Sequence, residues 1–161
     1  MVADLAWHRS EVTIRRSADD VWAVIRDFGD LRWYPHVERC EMEGDDRTTW
    51  KVGSDLASVE RLVEHDDVSR SQAYVLVDFL GPAIVPRDGG RTLDARTLIG
   101  RHRATLAVTP TGEGHCRVDY DVAVEGDEET ARSIAHGYGE AIAHLKAMLE
   151  GDARLQLGGH A

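Results

Sequence analysis

The sequence predicts an α+β fold in which a curved antiparallel sheet of about seven strands wraps around one long C-terminal helix, with two short helices following the first strand. Three observations carry this. Residues 7–14 alternate polar with apolar side chains, and six further strand-like segments follow, separated by short turns. Residues 17–34 form a short amphipathic helix that breaks at Gly29 and resumes for one turn before Pro35. From residue 127 to about 150, Ile134, Tyr138, Ile142, Leu145 and Leu149 recur four, four, three and four apart, the period of a helix with one buried face.

Each element has a local cause. In the first strand Ser10, Val12 and Ile14 share one face. Ser17 is a cap for the helix behind it, whose first turn carries Asp19 and Asp20 at the positive end of the helix dipole. Val21, Ile25 and Phe28 form its apolar stripe, flanked by Trp22 and Val24. Gly29 stops it, and Pro35 disfavours helical geometry at the residue before it, so the chain redirects there. Strands are then expected at 37–43, 48–52, 58–65, 71–78, 96–109 and 115–125. Turn formers at 44–46, 66–67 and 110–114 suit hairpins between them. The connection at 79–94 is different, with two prolines and three glycines, and its length and apolar start suit a lid or binding loop.

At 161 residues the chain is most simply one domain, with a core at about 7–150 and a frayed tail over 151–161. A chain of that size buries roughly two thirds of its unfolded surface. Nineteen basic against 29 acidic residues give a formal charge of -10, and the basic ones are scattered, which argues against a nucleic-acid partner. Asp4 and His8 interrupt every apolar run near the start, so neither a signal peptide nor membrane insertion is expected and a cytoplasmic location is the default. Two cysteines, Cys40 and Cys116, are too few for a disulfide framework and are expected to be reduced. The sequence offers no way to choose an oligomeric state.

The stretch VWAVIRDFGDLRWYPHV followed by Cys40, and Glu60-Arg61-Leu62 followed by His65-Asp66-Asp67, resemble the corresponding runs of bacterial polyketide cyclase/dehydrase-like proteins and of plant abscisic-acid receptors. The element order over residues 8–150 is likewise similar to the helix-grip fold of the START-like (SRPBCC) superfamily. That resemblance implies a pocket between sheet and C-terminal helix for a hydrophobic small molecule. Members of the superfamily close polyketide chains, catalyse condensation or hydrolysis, or only carry or sense a ligand. The chain departs from the hormone receptors at two places. Tyr34-Pro35-His36 lacks the lysine that meets the hormone's carboxylate, and residues 54–59 read SDLASV where the receptors have their Ser-Gly-Leu-Pro gate.

Strand alternation locates inward side chains independently of the family. Leu98, Ala104, Leu106 and Val108 put His102 on an apolar face, and Cys116, Val118, Val122 and Val124 do the same for Tyr120. Residues 71–78 are ambiguous: Ala73, Val75 and Val77 make the more uniformly apolar face, whereas the resemblance implies that Tyr74, Leu76 and Asp78 point inward. The resemblance also places Glu60 inside. A carboxylate in apolar surroundings holds its proton more readily than in water and can exchange it with an imidazole or phenol. Glu60, His102 and Tyr120 are therefore the candidate catalytic residues. Trp33, Tyr74, Leu76, Asp78, Tyr138 and Ile142 are the candidate ligand contacts. Such a set suits proton removal beside a carbonyl, as in cyclisation or dehydration. Simple mutual satisfaction of buried polar groups competes with this reading.

Trp22, Trp33 and Tyr34 serve either to anchor the short helix or, for Trp33-Tyr34-Pro35, to line the pocket mouth. His136, Glu140 and His144 superficially resemble a metal-binding stripe, yet Tyr138 lies about 200° from His136 around the helix, so that stripe is expected in solvent. Asp88-Gly89-Gly90 is a turn signal, with no nucleotide-binding or nucleophile motif around it. No cofactor and no metal is expected. Catalysis without a cofactor and non-catalytic carriage of a lipid or secondary metabolite are the two functional expectations.

Overall fold

The computed structural model describes residues 5–151; the tail expected to be frayed lies, from residue 152 on, outside the described residues. The first strand, β1 (His8–Ile14), leads into α1 (Ala18–Ile25). Four strands follow: β2 (Val37–Glu43), β3 (Asp46–Lys51), β4 (Ala57–Asp66) and β5 (Ser71–Leu80). A small hairpin comes next, from β6 (Ile84–Pro86) and β7 (Thr92–Asp94), and then β8 (His102–Gly112), β9 (His115–Val124) and α2 (Glu128–Leu149).

Seven strands form one antiparallel sheet in the order β1-β9-β8-β5-β4-β3-β2. All hairpins join neighbours except at two places: β1 reaches across the chain to pair with β9, and the β6–β7 excursion separates β5 from β8. Helix α2 packs on β1 and β9, which gives the helix-grip fold. Among the described residues no helix is long and apolar enough to cross a membrane.

The Ser17 hydroxyl caps α1 by accepting from the Asp20 amide at 3.1 Å. Val21, Trp22 and Ile25 are buried beneath it, each contributing roughly 1.5–3 kcal/mol through burial. Trp22 also has a polar role. Its indole N–H donates to Asp67 Oδ1 at 2.8 Å, and Arg26 donates to both oxygens of Asp67. The His65-Asp66-Asp67 run thereby ties α1 to the turn after β4.

Three expectations are corrected. The second short helix does not form: residues 27–36 are a series of turns, closed by Asp30 N–H to Asp27 and Tyr34 N–H to Leu31. With Gly29 before it and Pro35 after it, that stretch is too short to repay helix nucleation. His36 then takes a left-handed conformation (φ 65°) that aims the chain into β2. The strand expected over 96–109 starts only at His102, because Asp94 caps a 3₁₀ turn at Ala95–Leu98 by accepting from the Arg96 amide. The 79–94 connection is no open loop either. β5 continues to Leu80, and β6 and β7 pair across the left-handed Gly89 and Gly90, satisfying backbone groups that a loop would leave to water.

Along α2, Ala131, Tyr138, Ala141, Ile142 and Leu145 are buried, while Ile134 and Leu149 are half-buried. Cys40 and Cys116 are both unbridged.

Candidate functional site

Sheet register builds one wall of a pocket in three successive rungs. Arg47, Glu60 and Leu76 are neighbours across β3, β4 and β5; Thr49, Ser58 and Phe79 form the next rung; Lys51, opposite Val37 on β2, forms the last. Residues two apart on a strand share a face, so Arg47, Thr49 and Lys51 all point to the same side. The three run from buried (Arg47 4 %, Thr49 8 %) to exposed at Lys51. The pocket these rungs line measures about 230 Å³ and is closed on the other side by Tyr34, Leu98, Ile134 and Tyr138.

A β-bulge decides which part of β5 faces in. Val59 pairs with Asp78 but Glu60 pairs with Leu76, so Val77 is an extra residue. Tyr74 and Leu76 point into the pocket before the bulge and Phe79 after it. Asp78, expected inside, is exposed, and one of its oxygens accepts from the Phe79 amide. The inserted residue reverses the inside–outside alternation.

At the pocket floor three phenols converge. Tyr74 Oη lies 2.5 Å from Tyr120 Oη and 2.6 Å from Tyr138 Oη. His102 Nε2 is 3.5 Å from Tyr138 Oη, and its Nδ1 is buried with no hydrogen-bond partner. Burial pushes the phenol pKa values of Tyr74, Tyr120 and Tyr138 up, so all three stay protonated and act as donors near neutral pH. Burial pushes His102 down, so its imidazole is neutral there and has a lone pair to offer. A protonated donor set thus sits beside a neutral base.

Glu60 is not the isolated carboxyl anticipated from sequence. Arg47 Nε donates to Glu60 Oε1 at 3.1 Å and Nη1 to the Phe28 carbonyl at 3.0 Å. The guanidinium is also stacked between aromatic rings, 4.0 Å from the Phe28 centroid and 4.7 Å from that of Tyr74. Burial opposes the Arg47 charge, but Glu60, Tyr74 and Tyr120 outweigh it and raise its pKa above the usual value. A buried carboxylate requires such a cation. Arg47 lies outside the strand expected over 48–52; β3 starts two residues earlier, at Asp46, and takes it in.

Of the expected site residues, Glu60, His102, Tyr120, Tyr74, Leu76 and Tyr138 come together around the pocket. Trp33 and Ile142 do not line it. Trp33 is buried behind the lining, its ring 5.3 Å from Tyr34 and 6.4 Å from Tyr120, and Tyr34 faces the pocket in its place. Ile142 is buried one turn beyond Tyr138, where α2 packs on the sheet. The His136-Glu140-His144 stripe splits. His136 and Glu140 form an exposed ion pair at 3.1 Å, whereas the His144 ring is half-buried and its Nδ1 lies 2.8 Å from the Trp33 carbonyl. The 27–36 segment lies against that part of the stripe and partly shields it from solvent.

Solved structures share the fold. Protein XoxI of Bacillus cereus superposes with a TM-score of 0.71 at 20 % identity, over 91 % of this chain and 96 % of that one. A protein of Thermobifida fusca gives 0.66 at 26 % identity, over 96 % and 97 %. Norcoclaurine synthase from Thalictrum flavum, in complex with dopamine and hydroxybenzaldehyde, gives 0.62 at 19 % identity, over 93 % and 90 %. No curated protein matches the sequence. The family described as polyketide cyclase / dehydrase and lipid transport matches residues 8–150, nearly the whole chain. The chain belongs to that family, whose members bind hydrophobic small molecules.

Proposed function

We propose that the protein binds a small aromatic or polyketide-like carbonyl compound and promotes its cyclisation or dehydration by acid–base chemistry without a cofactor. The observation that supports this most is the floor of the pocket, where three protonated phenols gather beside a neutral His102 whose Nε2 lies 3.5 Å from Tyr138 Oη. A phenol holds the substrate carbonyl and His102 takes a proton from the adjacent carbon. The electron pair moves onto the carbonyl oxygen, which the phenols stabilise as an enolate. The enolate carbon then attacks a second carbonyl, and the imidazolium returns its proton to the new alkoxide, giving a hydroxyl. For dehydration His102 next takes the remaining proton from the same carbon and passes it to that hydroxyl, which leaves as water as the carbon–carbon double bond forms. Tyr120 and Tyr138 hold the oxygen. Glu60, tied to Arg47, contributes fixed charge beside it.

Size narrows the ligand. A pocket of about 230 Å³ falls below the roughly 300–1,000 Å³ of sites for drug-sized molecules, which suits one or two rings with a short chain. A relative of the same fold holds dopamine and hydroxybenzaldehyde, both on this scale. The second reading is carriage without chemistry. It is favoured by the way the three hydroxyls satisfy one another.

Hydrogen–deuterium exchange separates the two. With 4-hydroxyphenylacetone in deuterated buffer, the protein should accelerate loss of the methylene proton signal, and His102→Phe should return it to the buffer rate while saturation-transfer NMR still reports binding. A wild-type protein that binds the ketone without accelerating exchange would establish the carrier reading.

A further inference from the structure

The last rung of the polar wall holds a cation that the proposed chemistry leaves unused. Lys51 is exposed at the end of β3, directly opposite Val37, and its side chain borders the pocket. The chain has 17 arginines and only two lysines. Lys146, the other lysine, is occupied: it donates to the Thr13 carbonyl and to Glu150, both at 2.7 Å. Lys51 forms no ion pair among the described residues, in a chain whose formal charge is -10. An acidic protein has thus placed an ammonium with no ion-pair partner among the described residues at the mouth of a pocket whose deeper charges are already paired.

From this arrangement we propose that Lys51 anchors a carboxylate at the outer end of the ligand, making the substrate an aromatic or polyketide-like acid that enters ring first. This rests on the pocket being the binding site, as in the function proposed above. Deeper in, the cation of Arg47 is already matched by Glu60 at 3.1 Å, so a second anion finds no uncompensated charge there. Position then sets ligand length. Four residues of strand separate Arg47 from Lys51, about 13 Å at 3.2–3.4 Å per residue. That span suits a bicyclic ring seated on the phenols with a short chain reaching the rim. A flexible lysine suits such a place, since its compact charge stays hydrated while its methylenes cover apolar surface.

The probes are 4-(2-naphthyl)butanoate and its primary amide, with dissociation constants measured by calorimetry. The wild-type protein should prefer the acid by about fivefold, the upper range for an exposed ion pair. Raising salt from about 50 to about 500 mM should erode that preference, because exposed pairs are screened. Lys51→Gln should bind acid and amide equally, with the amide affinity unchanged, and Lys51→Arg should restore most of the preference. Equal affinities in the wild type would overturn the proposal, as would failure of both probes to bind. An acid preference that survives Lys51→Gln would also overturn it, by placing the carboxylate deeper, against Arg47. These are binding measurements, so absence of proton exchange with bound ketone would remove the catalytic reading and leave this one standing.

Discussion

Tyr120 and Tyr138 stack face to face, their ring centroids 3.6 Å apart and their planes 5° from parallel. One ring comes from β9 and the other from α2, so the pair joins the sheet to the helix at the pocket floor. A sandwich with so little offset is not the arrangement that aromatic quadrupoles prefer. It is held by the ends of the rings, because the Tyr74 hydroxyl bonds to both partner hydroxyls. The strand alternation that buries Tyr74 and Tyr120, and the helical period that buries Tyr138, therefore meet in one three-residue clamp.

Removing the bridging oxygen tests the clamp. Tyr74→Phe keeps the ring and the burial but deprives two buried hydroxyls of their shared partner. Loss of hydrogen bonding at that depth costs about 1–3 kcal/mol. Chemical denaturation should show a destabilisation in that range with an unchanged denaturant dependence. Equal stability of the variant and the wild type would mean that stacking alone holds the pair.

His102 gives the fold an acid-side sensitivity. Its pKa is lowered in the folded state, chiefly by burial, so between that value and the ordinary one near 6.5 the unfolded chain binds more protons than the folded one. Stability therefore rises with pH through this window. The contribution is fully present above about 6.5 and is lost as pH falls below it. His102→Phe should flatten that part of the stability–pH curve, measured by thermal melting across mildly acidic buffers. A curve of the same slope in the variant would assign the dependence to other groups.

His144 fixes the segment that carries Leu31 and Tyr34 into the pocket lining. Its ring nitrogen lies 2.8 Å from the Trp33 carbonyl, across a part of the chain that makes only turns. His144→Ala should cost about 1 kcal/mol and raise amide hydrogen exchange over residues 27–36 more than over β8 and β9. Uniform exchange changes would show that α2 merely packs there.

Much of this was legible in the sequence because it depends on periodicity. Inward placement of His102 and Tyr120 follows from unbroken alternation in β8 and β9, and α2 follows from a regular apolar stripe. What escaped depends on single-residue irregularities or on partners distant in sequence. The extra residue at Val77 turned Asp78 outward and Phe79 inward, and no compositional signal marks it. Of Trp33 and Tyr34, only Tyr34 reaches the pocket, because residues 27–36 are turns, whose side-chain directions follow no period. Arg47 was missed for a different reason: an inward Glu60 calls for a buried cation, and only the pairing of β3 with β4 shows which arginine supplies it.

That pair carries the last prediction. Arg47 and Glu60 are almost wholly removed from solvent, with side chains 5 % and 13 % exposed, so each is tolerable only while the other is present. Glu60→Gln leaves a buried guanidinium without its counter-charge and should destabilise the fold by about 3–5 kcal/mol. The paired change Arg47→Met with Glu60→Leu removes both charges, keeps the volume and should recover most of that loss. The single variant would confuse instability with impaired chemistry, whereas the double variant separates them. If the pair serves the pocket rather than the fold, the double variant should melt near the wild-type temperature yet bind 4-hydroxyphenylacetone without accelerating its proton exchange. Exchange at the wild-type rate in that stable double variant would confine the pair to a structural role and leave proton transfer to His102 and the phenols alone.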